Sequence, residues 1–326
     1  MLHPVSRFSP NYPIANRYEI ERIAPDNCWR IFEQSPLRPC AELNGRFDAA
    51  KLDTLLSKCE ESRTIISALV TVRSTNQQRI IMGAGELHIG RRSLKIRLFQ
   101  DGAELGAMIR AHKEGLVSGF TTNPTLMRKA GISDYAVFAR DVITAIPDMP
   151  LSFEVFSDDF ETMEKEARVI ASWGGNTYIK IPISNTKGES SAPLIRKLSD
   201  EGFSLNVTAL LTLEQVRVVA RSANPNARTI VSVFAGRIAD TGVDPEPIMR
   251  ASVETLAQLP NAELLWASPR ELLNLFQAEA CGCHIITATP DLIAKLKLVD
   301  KDLEQYSLET VKMFHDDARA SRFKIV

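Results

Sequence analysis

A lysine that interrupts an apolar strand is the strongest chemical signal in this chain. Lys180 sits in the run TYIKIPI, between Ile179 and Ile181. Taking an ammonium group out of water is costly, and the usual response is loss of its proton. A neutral amine is the form that attacks a carbonyl to give a carbinolamine and then a Schiff base. The same residue could instead run a snorkelling stem to the rim or pair with a carboxylate, and the strand pattern alone leaves both readings open. Two acids, Asp101 and Glu154, fall at the ends of other apolar runs. Breaking a C–C bond in a ketose needs a base for the hydroxyl beyond the break, and a Schiff base needs a route for water to leave and return. Two carboxylates in different surroundings can divide that work, or they can do no more than pair with Lys180.

Further polar residues collect at the ends of apolar runs. Thr121, Asn123, Asn206 and Ser232 carry groups suited to the hydroxyls of a sugar chain, although each taken singly is more often a turn or cap residue. Thr208 stands where it could hold a water against Glu154. Phe234 closes the run TIVSVF. Arg237 and Arg270, with Ser268, have the makeup of a phosphate clamp, because the guanidinium fork matches phosphate oxygens; a surface salt bridge is the competing reading for either arginine. None of the five histidines falls at such a position, and His284 reads as a core residue. No His-Glu-x-x-His, Walker loop or nucleophile elbow is present.

These residues need a scaffold that brings distant segments to one face. Eight short apolar runs supply it: LKIRLF, LVSGF, LSFEVF, TYIKIPI, FSLNV, TIVSVF, ELLWA and HIITA. Each is about the length of a buried parallel strand. Helical spacing fills the intervals, as in DDFETMEKEARVIASW (158–173) and TLEQVRVVARSA (212–223). Strand–helix alternation of this length predicts a closed (β/α)8 barrel, which gathers its chemistry at the C-terminal ends of its strands. An open doubly wound sheet is the competitor, but no Gly-x-Gly-x-x-Gly follows the first strand. The segment 307–320 predicts an extra helix packed across the barrel. The first 93 residues differ in character and are expected to form an N-terminal extension or small appended domain, with the barrel spanning 94–326.

Composition narrows the class. The chain has 326 residues, 44 % hydrophobic and 24 % charged, with a formal net charge of -1. That mix can bury a large core. Lys and Arg do not cluster, which argues against nucleic acid as the main partner. No apolar run is long enough for a membrane helix, and the N-terminus lacks a secretory pattern, so a cytoplasmic location is expected. The five cysteines are scattered and odd in number, which fits a reducing compartment. Cys281 and Cys283 lack a second pair to complete a zinc site and read as core residues; no metal is expected.

The segments GFTTNPTL (119–126), YIKIPIS (178–184), LNVTALLT (205–212), SVFAGRIADTG (232–242) and ASPR (267–270) together resemble the transaldolase family, over about residues 94–320. The resemblance implies a (β/α)8 barrel, a Schiff base between Lys180 and the dihydroxyacetone part of a ketose, and no metal or organic cofactor. It implies Asp101 as the acid/base at the cleaved bond and Glu154 with Thr208 as holders of the catalytic water. Thr121, Asn123, Asn206, Ser232 and Phe234 would line the substrate, and Arg237, Ser268 and Arg270 would hold its phosphate. Phe234 and Glu154 stand where the aldolase-only branch is expected to carry Tyr and Gln, which favours transfer between sugar phosphates over release of free dihydroxyacetone. A retired barrel that only binds a sugar phosphate is the third reading. A homo-oligomer is a further expectation. Departures from the family pattern are Gly102 after Asp101, Val233 before Phe234, Pro269 after Ser268, and a leader without counterpart.

Overall fold

A computed structural model describes residues 92–325 and, before them, 18–23, 28–34, 37–43, 80–83 and 86–89. The chain divides into two compact units, 1–77 and 78–326. In the first, β1 (Tyr18–Ile23), β2 (Cys28–Gln34) and β3 (Leu37–Leu43) form an antiparallel sheet in that order. The helical pattern expected over 47–62 lies outside the described residues.

The second unit begins with a small antiparallel sheet, β4 (Ile80–Gly83), β5 (Glu86–Ile89) and β6 (Arg92–Leu94). It then closes an eight-stranded parallel barrel: β7 (Arg97–Asp101), β8 (Phe120–Thr121), β9 (Leu151–Glu154), β10 (Thr177–Pro182), β11 (Leu205–Leu210), β12 (Thr229–Val233), β13 (Ala262–Trp266) and β14 (Ile285–Ala288). β14 pairs back to β7. All eight apolar runs of the sequence thus overlap a barrel strand, LVSGF by Phe120 alone.

Strand alternation sorts the side chains. Leu98, Phe153, Ile179, Ile181, Val207, Val231 and Trp266 join the large apolar cluster between the sheet and the helices. Phe99, Tyr178, Ile230, Leu265, Ala267 and Ile285 form a second, separate cluster, the barrel's own filling. Gly119 is required by that filling: a Cβ there would lie 2.5 Å from the Phe99 ring. Below it, Arg97 and Glu263 form an ion pair at the start of β7 and β13. Two positions beyond Phe99, Tyr178, Ile230 and Ile285 come Asp101, Lys180, Ser232 and Thr287, which reach the C-terminal mouth.

Among the described residues, helices follow the strands with local caps that fix their starts. They are α1 (Leu105–Lys113), α2 (Pro124–Lys129), α3 (Tyr135–Ala145), α4 (Phe160–Ser172), α5 (Ala192–Asp200), α6 (Leu213–Ser222), α7 (Ala235–Asp240), α8 (Glu246–Leu256), α9 (Leu273–Ala280), α10 (Pro290–Ile293) and α11 (Leu303–Ser321). Asn123, Asp134 and Asp159 cap α2, α3 and α4 through their side chains, and Thr212 with Gln215 forms a capping box on α6. Such caps satisfy amides that would otherwise lack partners.

Two expectations need correction. The segment 307–320 is helical, within α11, but no residue of that helix is buried, so it does not pack across the barrel. Its apolar residues Leu303, Tyr306, Leu308, Val311 and Phe314 spread over more than half the helix circumference instead of forming one stripe. His284 is not a core residue either. It lies exposed at the rim just before β14, where its Nδ1 accepts the Leu264 amide at 3.0 Å. Cys281 and Cys283 are buried free thiols in the outer apolar cluster.

Candidate active site

Lys180 points into the barrel because its neighbours Ile179 and Ile181 point out of it. Only 7 % of the residue is exposed. Its Nζ donates to the Thr122 carbonyl at 2.9 Å and lies 3.1 Å from Glu154 Oε2. Register places both partners: Lys180 sits opposite Glu154 on β9 and opposite Asn206 on β11. The amine is therefore held by one carbonyl and one carboxylate, at the level where the strands end. Of the two alternatives left by the sequence, the rim-directed stem is ruled out and pairing with an acid is observed.

Asp101 ends β7 opposite Thr121. Thr121 Oγ1 donates to Asp101 Oδ1 at 2.8 Å, and Asn123 Nδ2 approaches Oδ2 at 3.5 Å. Thr121 has one hydroxyl proton. Since that proton goes to Asp101, the 2.6 Å contact between Thr121 and Thr287 makes Thr287 the donor there. Burial pushes the Asp101 carboxyl above its ordinary range; the Lys180 charge and the Thr121 bond pull it partly back, and the Glu154 charge pushes it up again. Asn123 also caps α2 by accepting the Leu126 amide at 3.0 Å, so the loop-forming and site-facing readings both hold for it.

On the far side of the lysine the polar groups form a fixed chain. Ser232 Oγ donates to Asn206 Oδ1 at 2.7 Å, and Asn206 Nδ2 donates to Ser152 Oγ at 3.0 Å. Thr208 differs: its Oγ1 is buried and has no hydrogen-bond partner. A buried unpaired hydroxyl is unusual and asks for a partner. It lies beside Ala209, which adopts φ +63° at a break in the β11–β12 register. Non-glycine residues rarely take that conformation, and such strain gathers at sites of function.

The suggested phosphate clamp is more open. Gly236 lets the mouth close up: a Cβ on it would stand 1.6 Å from the Ser268 carbonyl oxygen. Ser268 itself has φ +57°. This contact fixes the start of α7 against the tip of β13. Arg237 lies over the Phe234 ring at 5.3 Å, and Phe234 packs on the barrel filling. Arg270 is exposed and pairs with Asp240 through Nε, at 3.0 Å from Oδ1, and through Nη2. The salt-bridge reading is thus realised for Arg270, on the same side as Arg237 and Ser268.

The structure adds residues that the sequence did not single out. Ser152 precedes Glu154 by two positions and Thr287 lies at the end of HIITA, so period-two alternation could have found both. Tyr135, on α3, could not be found this way. Its hydroxyl accepts the Glu154 amide at 2.7 Å and donates to the Glu154 carbonyl at 3.1 Å. Its ring stacks on Phe156 at 4.6 Å and meets Trp173 edge-on at 5.2 Å. Loops beyond β9 and β10 are joined by Asp158, which accepts the Thr186 amide at 2.7 Å and its hydroxyl at 2.6 Å.

Residues 98–325 match the family model described as transaldolase/fructose-6-phosphate aldolase. A protein named probable transaldolase 2 from Listeria monocytogenes is 33 % identical over 215 residues, which are 65 % of this chain and 94 % of that one. A probable transaldolase from a Thermoanaerobacter species is 33 % identical over 231 residues, 71 % of this chain and 100 % of that one. Among solved structures, a dihydrodipicolinate synthase from Rhodopseudomonas palustris resembles it with a TM-score of 0.47 and 12 % identity, covering 68 % of this chain and 79 % of that one, too distant to bear on function.

Proposed function

This chain belongs to the transaldolase/fructose-6-phosphate aldolase family and is an enzyme of that type, and from that premise we propose that it transfers a dihydroxyacetone unit between sugar phosphates through a Schiff base on Lys180. One observation carries the reading: a buried amine 3.1 Å from a carboxylate, in the mouth that also holds Asp101. Lys180 gives a proton to Glu154, and the free amine attacks C2 of a ketose phosphate. Loss of water leaves an iminium ion. Asp101 takes the proton of the C4 hydroxyl, the C3–C4 bond breaks, and an aldehyde departs. The electron pair stays as an enamine. Its carbon attacks the aldehyde of the acceptor, whose oxygen takes the proton back from Asp101, and water then adds to the iminium and frees the new ketose from Lys180.

The remaining groups have consistent parts. Thr208 Oγ1, buried without a partner, is suited to hold the water that leaves and returns, together with Glu154. The Ser232–Asn206–Ser152 chain, with Thr121 and Asn123, presents fixed polar groups to the hydroxyls of the three-carbon unit. Phe234 brings no hydroxyl to hold a water beside the enamine, which favours carbon–carbon bond formation over protonation and release. Arg237, Ser268 and Arg270 hold the phosphate; Arg270 exchanges its exposed partner Asp240 for it, a swap that costs little because exposed pairs are worth about 0–1 kcal/mol. The chain needs no organic cofactor or metal for these steps. Among the described residues no helix is long and apolar enough to cross a membrane, and sugar phosphates as substrates support a cytoplasmic setting. Borohydride added with fructose 6-phosphate should fix a three-carbon mass on Lys180. Equal labelling of Lys180→Ala, or none on the wild type, refutes the reading.

A further inference from the structure

The join between β8 and β9 is unfinished where the lysine amine is held. The parallel ladder runs from Phe120 N–H to the Pro150 carbonyl at 2.9 Å, then from Thr122 N–H to the Ser152 carbonyl at 3.3 Å. By the same repeat, the Glu154 N–H should donate to the Thr122 carbonyl, and residue 124 should donate to the Glu154 carbonyl. Neither bond forms. Residue 124 is a proline and has no N–H to give. The Thr122 carbonyl accepts from Lys180 Nζ in place of the Glu154 amide. Both backbone groups of Glu154 go instead to one side-chain hydroxyl, that of Tyr135.

We infer that Tyr135 is a positioning residue: its hydroxyl replaces the missing end of β8 and thereby leaves the Thr122 carbonyl free to hold the Lys180 amine. Without that hydroxyl, the ladder partner of the Glu154 amide is the Thr122 carbonyl. Closing on it would pull β9 against β8 and make the amide compete with Lys180 for the same oxygen. Glu154 would shift with its backbone, and its carboxylate is the other group that holds the amine. Tyr135 bonds to the Glu154 backbone and not to the Lys180 amine; it acts on the site through the backbone. Its ring is wedged among Phe153 of β9, Phe156 just after that strand, and Trp173 at the end of α4, so the hydroxyl is delivered from α3 by a ring held on several sides.

The inference rests on the Schiff-base reading, and the test separates the two. Tyr135→Phe keeps the ring and removes the hydroxyl. The rate of borohydride-trapped adduct at Lys180 with fructose 6-phosphate is expected to fall about ten- to a hundredfold, the cost of a displacement near 1 Å at a reacting centre. kcat should fall with it while KM for the donor changes less than about threefold. A tyrosine that only supports the fold would lower the melting temperature and leave kcat in place, which overturns the inference. Should Tyr135→Phe not fold, 3,5-difluorotyrosine at 135 keeps the packing and weakens the oxygen as acceptor; a slowed trapping rate then supports the inference and an unchanged rate overturns it. Absence of trapping in the wild type would instead remove the Schiff-base reading, and this inference with it.

Discussion

Asp101→Asn should make the enzyme more stable at pH 8 while it loses activity. The wild-type carboxylate sits in the barrel mouth, where burial is the largest influence and raises its titration above the ordinary 3.8. A raised value means that the folded state favours the protonated acid. The corresponding stability is fully present below the unfolded value and is lost as pH rises through the folded one. Above that point the wild type carries an under-solvated charge that Asn does not. Leaving a buried polar group short of compensation costs about 1–3 kcal/mol. Against this, Asn gives up the attraction of Lys180, and its NH2 faces the Asn123 donor that approaches at 3.5 Å. The 2.8 Å bond from Thr121 survives on the amide oxygen. The net gain is on the order of 1 kcal/mol, or about 2–4 °C in melting temperature for a domain of this size. Thermal unfolding followed by circular dichroism at pH 4 and pH 8 reads it. The gain should be present at pH 8 and absent at pH 4, while transfer falls by about 10²–10⁴ with the loss of the proton acceptor. A variant no more stable than wild type at pH 8, or equally favoured at both pH values, refutes the reasoning.

Gly236→Ala forces a Cβ to within 1.6 Å of the Ser268 carbonyl; overpacking of this kind costs about 1–3 kcal/mol or more. Its melting temperature should drop, and KM for fructose 6-phosphate should rise more than KM for unphosphorylated fructose. Thr208→Val removes an oxygen that has no partner in the fold. Stability by urea unfolding should therefore change by less than about 1 kcal/mol, whereas kcat should fall by about a hundredfold as the water loses its holder.

Much of the fold was legible because a parallel barrel writes itself plainly. Each strand is buried on both sides, so LSFEVF, TYIKIPI and TIVSVF stand out as apolar runs, and polar residues at their ends mark the mouth. Lys180, Asp101 and Glu154 were visible as charges that break that pattern. What escaped depends on three-dimensional detail. LVSGF predicts a longer strand than the two residues of β8, which starts only at Phe120; the close approach of the Phe99 ring to Gly119 is a three-dimensional fact the run does not show. Tyr135 opens a helix just after its cap Asp134 and leads into Ala136, Val137 and Phe138, where an aromatic residue reads as packing. The pairing of Arg270 with Asp240 joins the segment after β13 to the end of α7, and no sequence spacing announces it. The segment after 302 has enough apolar residues to suggest a packed helix, yet they spread over more than half its circumference and none of its residues is buried.

The filling of Phe99, Tyr178, Ile230, Leu265 and Ile285 has a kinetic corollary. It stoppers the barrel below the lysine, leaving a cul-de-sac with one door. Under the proposed reaction, the aldehyde cut from the donor must leave through the same opening that the acceptor needs. The two cannot pass each other, so the first product departs while the three-carbon fragment stays tethered, and the order of events is set by plumbing before any affinity is considered.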